Sequence, residues 1–172
     1  MSTRRVHLIG VDHIVQHDGF ALGGHDDPVV SSHKIADAIH KFKEYLRVLI
    51  RETGAAVLAE EFSKQAIIKS QATGSSAEQV AQELGIGHLF CDPGTSEREE
   101  LSIGTDAQRE DYWAARLVPL AAEEIIFVCG DAHVATFPEV LERHGFQCCV
   151  ASRGWGCNLY EVTSLSELIG KT

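Results

Sequence analysis

The sequence predicts an α/β fold: a mostly parallel, doubly wound sheet of about five strands with helices on both faces, in a single domain spanning residues 1–172. Short strands alternate with helical stretches five times, and no internal repeat or low-complexity tract interrupts them. The strands are continuously apolar rather than alternating, as strands covered on both faces must be. With 172 residues and 44% apolar content, the chain can bury a sizeable core as one domain.

Val6 to Ile9 form the first strand. Residues 11–32 follow as a polar loop with Gly19, Gly23, Gly24 and Pro28, long enough to be functional or mobile. Ile35, Ile39, Phe42, Leu46 and Leu49 recur at alternating steps of four and three, so residues 33–52 form an amphipathic helix, ended by Gly54. Ala55 to Ala59 are the second strand, stopping at Glu60-Glu61. Phe62 to Gln71 read as helix, broken at Thr73-Gly74, and Ser75 with Glu78 forms a capping box for a helix ending at Gly85. His88 to Cys91 are the third strand, closed by Asp92-Pro93-Gly94. Residues 95–106 read as a charged loop, with Glu97 to Glu100 a solvated face, and Asp106 as the cap of a helix over 107–121. Ile125 to Cys129 are the fourth strand. Thr136 to Glu139 has the pattern of a capping box, with Pro138 in the first turn of a helix over 137–144 that Gly145 stops. Gln147 to Ala151 are the fifth strand, and Ser164 with Glu167 starts a short closing helix at about 164–170.

Charge and composition remove several function classes. A formal net charge of −10 opposes binding to a nucleic-acid backbone. No apolar run approaches a membrane span; the longest, near Leu117, is broken by Glu123-Glu124. The first ten residues carry no signal-peptide pattern, and five cysteines without a C-x-x-C pair argue against a disulfide framework. The expectation is a cytoplasmic protein acting on a small molecule or peptide, with a homo-oligomer left open.

Chemistry concentrates at the strand ends. Gly-x-x-His occurs twice, as Gly10-Val11-Asp12-His13 and as Gly130-Asp131-Ala132-His133, each at the end of a strand. Parallel strands place Asp12/His13, Glu60/Glu61, Asp92 and Asp131/His133 on one carboxyl edge, where open α/β sheets bind ligands. Arg109, in the first turn of its helix, joins them there, and helix N-termini add positive partial charge. Two imidazoles and a carboxylate with open positions suit zinc, manganese, cobalt or iron, with His13, Glu61 and His133 as ligands. Asp12 and Asp131 are then further ligands or acceptors for imidazole N–H groups. Without metal, one histidine acts as general base on water, oriented by a glutamate, while Arg109 holds a carboxylate or phosphate.

Neighbouring strand residues point opposite ways, so one of Glu60 and Glu61 faces solvent, and Glu61, next to Phe62, is preferred for the site. Gly10 and Gly130 read as permitting tight turns, and Asp92-Pro93 equally as turn chemistry or as a substrate contact. Tyr112 and Trp113 read as core, Cys91 and Cys129 as buried and inert, and His17, His25 and His33 as solvated. A nucleotide-binding domain is a weak alternative, since no G-x-G-x-x-G or Walker-type loop follows the first strand.

The two Gly-x-x-His motifs flank a strand-terminal glutamate, the second runs into Phe137-Pro138-Glu139-Val140-Leu141 and Gly145, and Arg109 shares a helix with Trp113. Over residues 6–150 this set resembles the TraB/Tiki family and the related erythromycin-esterase and ChaN-like superfamily. The resemblance implies an active site lined by His13, a glutamate at 60 or 61, Arg109 and His133. It implies hydrolysis, through a divalent metal in the Tiki-like proteases or a histidine base in the esterases. The ChaN branch binds haem iron, so a metal, haem or small-ligand sensor without turnover is the alternative. The leading expectation is a metal-assisted hydrolase.

Overall fold

A computed structural model of the chain describes residues 4–18 and 32–160. His25, the loop residues Gly19, Gly23, Gly24 and Pro28, and the closing helix at Ser164 and Glu167 lie outside the described residues. The strands are β1 (Arg5–Val11), β2 (Val57–Glu60), β3 (Gly87–Phe90), β4 (Glu124–Gly130) and β5 (Gln147–Trp155). They pair in parallel in the order β3-β2-β4-β1-β5. The helices are α1 (Ser32–Thr53), α2 (Lys64–Lys69), α3 (Ser76–Leu84), α4 (Thr95–Glu100), α5 (Asp106–Leu117) and α6 (Phe137–Arg143).

Side-chain alternation divides the core into two layers. Ile9, Val11, Leu58, Ile126 and Val128 pack on one side against Ile35, Phe42 and Leu46 of α1 and Val80 of α3. Val6, Leu8, Ala59, Ile125, Phe127 and Cys129 pack on the other against Trp113 and Leu117 of α5 and Phe137 and Leu141 of α6. Both faces are therefore covered, which is why the strands read as unbroken apolar runs. The path from β1 leads across β4 to β2, whereas the path from β4 leads across β1 to β5. The strands β1 and β4 are neighbours whose connections leave in opposite directions on opposite faces. Their carboxyl ends therefore frame an open crevice, the usual ligand position in this architecture.

Local chemistry sets the element ends, sometimes differently from the sequence expectation. Gly54, Gly85 and Gly145 close α1, α3 and α6 with φ of +69°, +67° and +83°. Ser63 and Ser75 cap α2 and α3 by accepting from Ala66 N and Glu78 N. Thr105, not Asp106, caps α5 in a reciprocal box with Gln108, and the helix stops at Leu117 rather than 121. Residues 95–100, expected as loop, are the helix α4; Glu97 there accepts from the Tyr112 hydroxyl instead of facing only solvent. Thr136 makes no capping bond, because its hydroxyl donates to Glu110. The fifth strand runs four residues past Ala151, paired with β1 as far as Val11↔Trp155. Among the described residues no helix is long and apolar enough to cross a membrane.

Gly10 lies inside β1, not in a turn. A Cβ there would stand 2.4 Å from Asp131 Oδ1 and 2.7 Å from Val134 Cγ2. The glycine is needed for close approach, because the chain leaving β4 lies directly on it. Gly10→Ala is expected to lower unfolding stability by about 1–3 kcal/mol through overpacking, measured by urea denaturation. Gly104→Ala, with nothing within 4 Å of the added carbon, is the matched control and is expected to change little.

Candidate functional site at the switch point

Glu61 is the centre of the crevice. It follows β2, holds strand geometry through Glu61 N–H donating to Val128 O at 2.7 Å, and is 3% exposed. Its Oε2 accepts from Gly130 N at 2.7 Å and its Oε1 from Arg109 Nη2 at 2.6 Å, with His133 Nε2 at 3.4 Å. Burial alone would raise the carboxyl pKa; the His133 imidazole, the Gly130 N–H and the Arg109 guanidinium outweigh it and hold the pKa below its ordinary value. Glu61 is thus a buried, ionised carboxylate.

Arg109 reaches it from the first turn of α5. Its Nε donates to Asp92 Oδ1 at 3.0 Å and its Nη1 to Asp106 at 3.1 Å, and its guanidinium lies 4.9 Å from the Trp113 ring centroid. Asp92 also accepts from Trp113 Nε1 at 3.0 Å and from Arg98, so it anchors three donors rather than merely shaping a turn. Arg109 is committed to carboxylates on each of its donor arms.

His133 sits in the 3₁₀ turn after β4, 8% exposed, edge-on to Trp113 at 4.9 Å. Its Nδ1 donates to Glu110 Oε1 at 2.7 Å. Glu110 is 2% exposed and also accepts from Thr136 Oγ1 at 2.6 Å. Glu61 raises the His133 pKa most; burial opposes it, Glu110 adds to it, and the net result is about 9. His133 is therefore an imidazolium at neutral pH.

His13 stands exposed in the 3₁₀ turn after β1, with Asp12 capping that turn by accepting from Ile14 N at 2.9 Å. The Nδ1 of His13 bonds Gln16 Oε1, an acceptor, which places the proton on Nδ1 and leaves Nε2 a lone pair when the ring is neutral. A carbon added at Gly130 would stand 3.3 Å from Glu61 Oε2 and 3.5 Å from His13 Nε2. The free imidazole nitrogen and the carboxylate oxygen therefore face the same backbone position.

The structure thus gathers His13, Glu61, Asp92, Arg109 and His133, and leaves three other candidates elsewhere. Glu60 points through the opposite face, accepting from Ser75 Oγ and from His88 Nε2 at 2.7 Å, and burial pushes its carboxyl pKa up. Neither glutamate faces solvent, since both sides of the sheet are covered: Glu60 is 0% and Glu61 3% exposed. Asp131 accepts from Arg153 Nη2 and Gly154 N, both at 2.9 Å, and so ties β5 to the second motif. Asp12 serves its own turn. His17, read as solvated, is buried and lies 5.4 Å from the Phe62 ring, whereas His33 is exposed. Burial pushes the Cys91 thiol up to about 12 and the Cys129 thiol well above its ordinary value, so neither supplies a thiolate.

Two partners escaped the sequence reading. Glu110 lies on the buried stripe of α5 with Trp113, Ala114 and Leu117, and an acid on that stripe was a legible signal. Gln16, 1% exposed, carried no such mark. As a ligand set, the cluster does not fit a metal as it stands. Among the described residues no three His, Cys, Asp or Glu side chains converge on one ion position, and both ring nitrogens of His133 face carboxylates.

Site and fold together define an α/β protein with a carboxylate–imidazole centre at a topological switch point. Compared with family models, curated proteins and solved structures, the chain gives no significant match.

The charged state of His133 has a pH signature. Its pKa is raised from 6.5 to about 9 on folding, so its contribution to stability is complete below about pH 6.5 and is lost as pH rises through about 9. Urea midpoints are expected to fall across that window, and the His133 Cε1–H resonance to titrate near its upper end. Glu110→Gln is expected to lower that titration midpoint and to cost about 1.5–3 kcal/mol, the range for a hydrogen bond to a charged group.

Proposed function

We propose that this protein is a hydrolase in which His13 activates water beside Glu61. The observation that carries the reading is the meeting of His13 Nε2 and Glu61 Oε2 at Gly130, the first on an exposed ring, the second on a buried, ionised carboxylate. A water between them would give one proton to His13 while Glu61 orients it. Gln16 keeps the His13 ring turned with Nε2 inward. His133 Nε2–H, 3.4 Å from Glu61 Oε1, would donate to a carbonyl or phosphoryl oxygen as charge develops there. Attack forms the bond from water oxygen to the acyl or phosphoryl centre, the bond to the leaving oxygen or nitrogen breaks, and the His13 imidazolium returns its proton to the leaving group. Arg109 and Asp92 fix Glu61 in place rather than touching substrate.

This is the histidine-base route that the resemblance to the erythromycin esterases implies; the resemblance to the Tiki-like proteases implies a metal instead. The metal-assisted alternative, with zinc, manganese, cobalt or iron, is the weaker reading, because the side chains as arranged do not fit an ion and His133 would have to leave a carboxylate to bind one.

The test is a panel of esters, amides and phosphoesters assayed with purified protein, with and without EDTA and added metal. Hydrolysis that resists EDTA and falls about 10²–10⁴-fold in His13→Ala, the range for loss of a general base, supports the first reading. Hydrolysis abolished by EDTA and restored by one metal supports the second. Full activity in both His13→Ala and Glu61→Gln refutes the site. A Soret band on adding haem, with no turnover of any substrate, replaces both with a binding protein.

A further inference from the structure

Glu60 is fully buried and points away from the crevice, yet its contacts lead back to His13. Its Oε1 accepts from Ser75 Oγ and from His88 Nε2 at 2.7 Å, and its backbone is held in β2 between β3 and β4. The same Ser75 hydroxyl accepts from Glu78 N at 2.9 Å and so starts α3. Ser75 is thus tied at once to the sheet and to the first turn of the helix.

That first turn grips the segment that carries His13. Ser76 N donates to Gln16 O at 2.6 Å, Ser76 Oγ donates to Val15 O at 2.7 Å, and an antiparallel bridge pairs Ser75 with His17. Ser75, Ser76, Gln16 and His17 are all buried, so water does not compete for these contacts. Gln16 needs such an anchor. Its Oε1 bonds His13 Nδ1, but its Nε2 has no partner; with Glu60 Oε2 it makes up the buried side-chain atoms left without one among the described residues. No hydrogen bond at the amide nitrogen fixes the side chain, and its place depends on the backbone that α3 holds.

We propose that Glu60 is a positioning residue for His13. Through Ser75 and the first turn of α3 it keeps Gln16 Oε1 against His13 Nδ1, so the proton stays on Nδ1 and the lone pair on Nε2, toward Glu61. Adjacent glutamates that point to opposite sides of the sheet then serve opposite nitrogens of one ring. The catalytic meaning of this rests on the hydrolase reading; the tautomer it asserts does not.

The experiment uses the full chain with isotope-labelled histidine and reads the His13 tautomer by long-range proton–nitrogen correlation NMR. The pH is about 8, above the ordinary imidazole pKa of about 6.5. Wild type is expected to hold the proton on Nδ1. Gln16→Ala and Glu60→Met are expected to lower the ratio of Nδ1–H to Nε2–H about fivefold, the equilibrium effect of one ordinary hydrogen bond. Glu60→Gln, whose amide oxygen still accepts from Ser75, is expected to keep the wild-type ratio. A merely structural contact would lower the urea midpoint of Glu60→Met and leave the tautomer as it was, and that outcome overturns the proposal. So does a wild-type ring protonated on Nε2. Should Glu60→Met fail to fold, Ser75→Gly decides in the same way, because glycine is tolerated at the cap but gives Glu60 no donor. A shifted tautomer in a protein that hydrolyses nothing supports the positioning and refutes the hydrolase. Hydrolysis that survives in Glu60→Met with an unchanged tautomer does the reverse.

Discussion

Keeping Glu61 ionised inside the protein is the constraint from which the rest of the site follows. An isolated buried carboxylate is too costly to remain charged, and the fold answers with a backbone N–H, a guanidinium and an imidazolium around one side chain. Each donor must then be held. Asp92 and Asp106 hold Arg109, Glu110 holds His133, and Trp113 lies beside both cations. The result is an alternation of charges from β3 through β2 to the turn after β4, in which removal of any member takes a partner from its neighbours. The start of α5 is tied to the sheet by this chain of contacts as well as by the apolar packing of Trp113 and Leu117.

The two Gly-x-x-His motifs are reciprocal. Gly10 leaves room for Asp131 and Val134 of the second motif, and Gly130 leaves room for His13 and Glu61. Each glycine removes its own side chain where the other turn must pass, and each motif ends in an imidazole over the gap. The histidines nevertheless differ. His133 has a carboxylate at each nitrogen and is held as a cation; His13 is exposed, with only Nδ1 engaged. Environment divides two Gly-x-x-His motifs into a buried cation and an exposed imidazole.

Much of this was written in the chain. The unbroken apolar runs at Ile125 to Cys129 and Val6 to Ile9 announced strands covered on both sides, and the steps of four and three from Ile35 to Leu49 announced α1. The alternation of a strand announced that Glu60 and Glu61 point opposite ways, although the prediction of a solvent-facing partner failed because α3 covers Glu60 through Ser75. Other features were misread where local pattern and distant partner compete. Thr136 has capping-box spacing, yet its hydroxyl serves Glu110, 26 residues earlier. His17 looks like one more loop histidine until Phe62 is placed against it. Residues 95–100 carry a helix whose acids suggested only solvation.

By itself the sequence determined the alternation of elements, the two-sided burial of the strands and the edge on which the polar strand ends collect, because these depend on periodicity and on parallel connection. Only the tertiary structure decided the order β3-β2-β4-β1-β5, and with it the neighbours of Glu61 and the protonation of His133. Strand order depends on the direction each crossover takes, and ionisation on which charges end within a few ångströms of one another. Neither quantity is carried by any short stretch of chain.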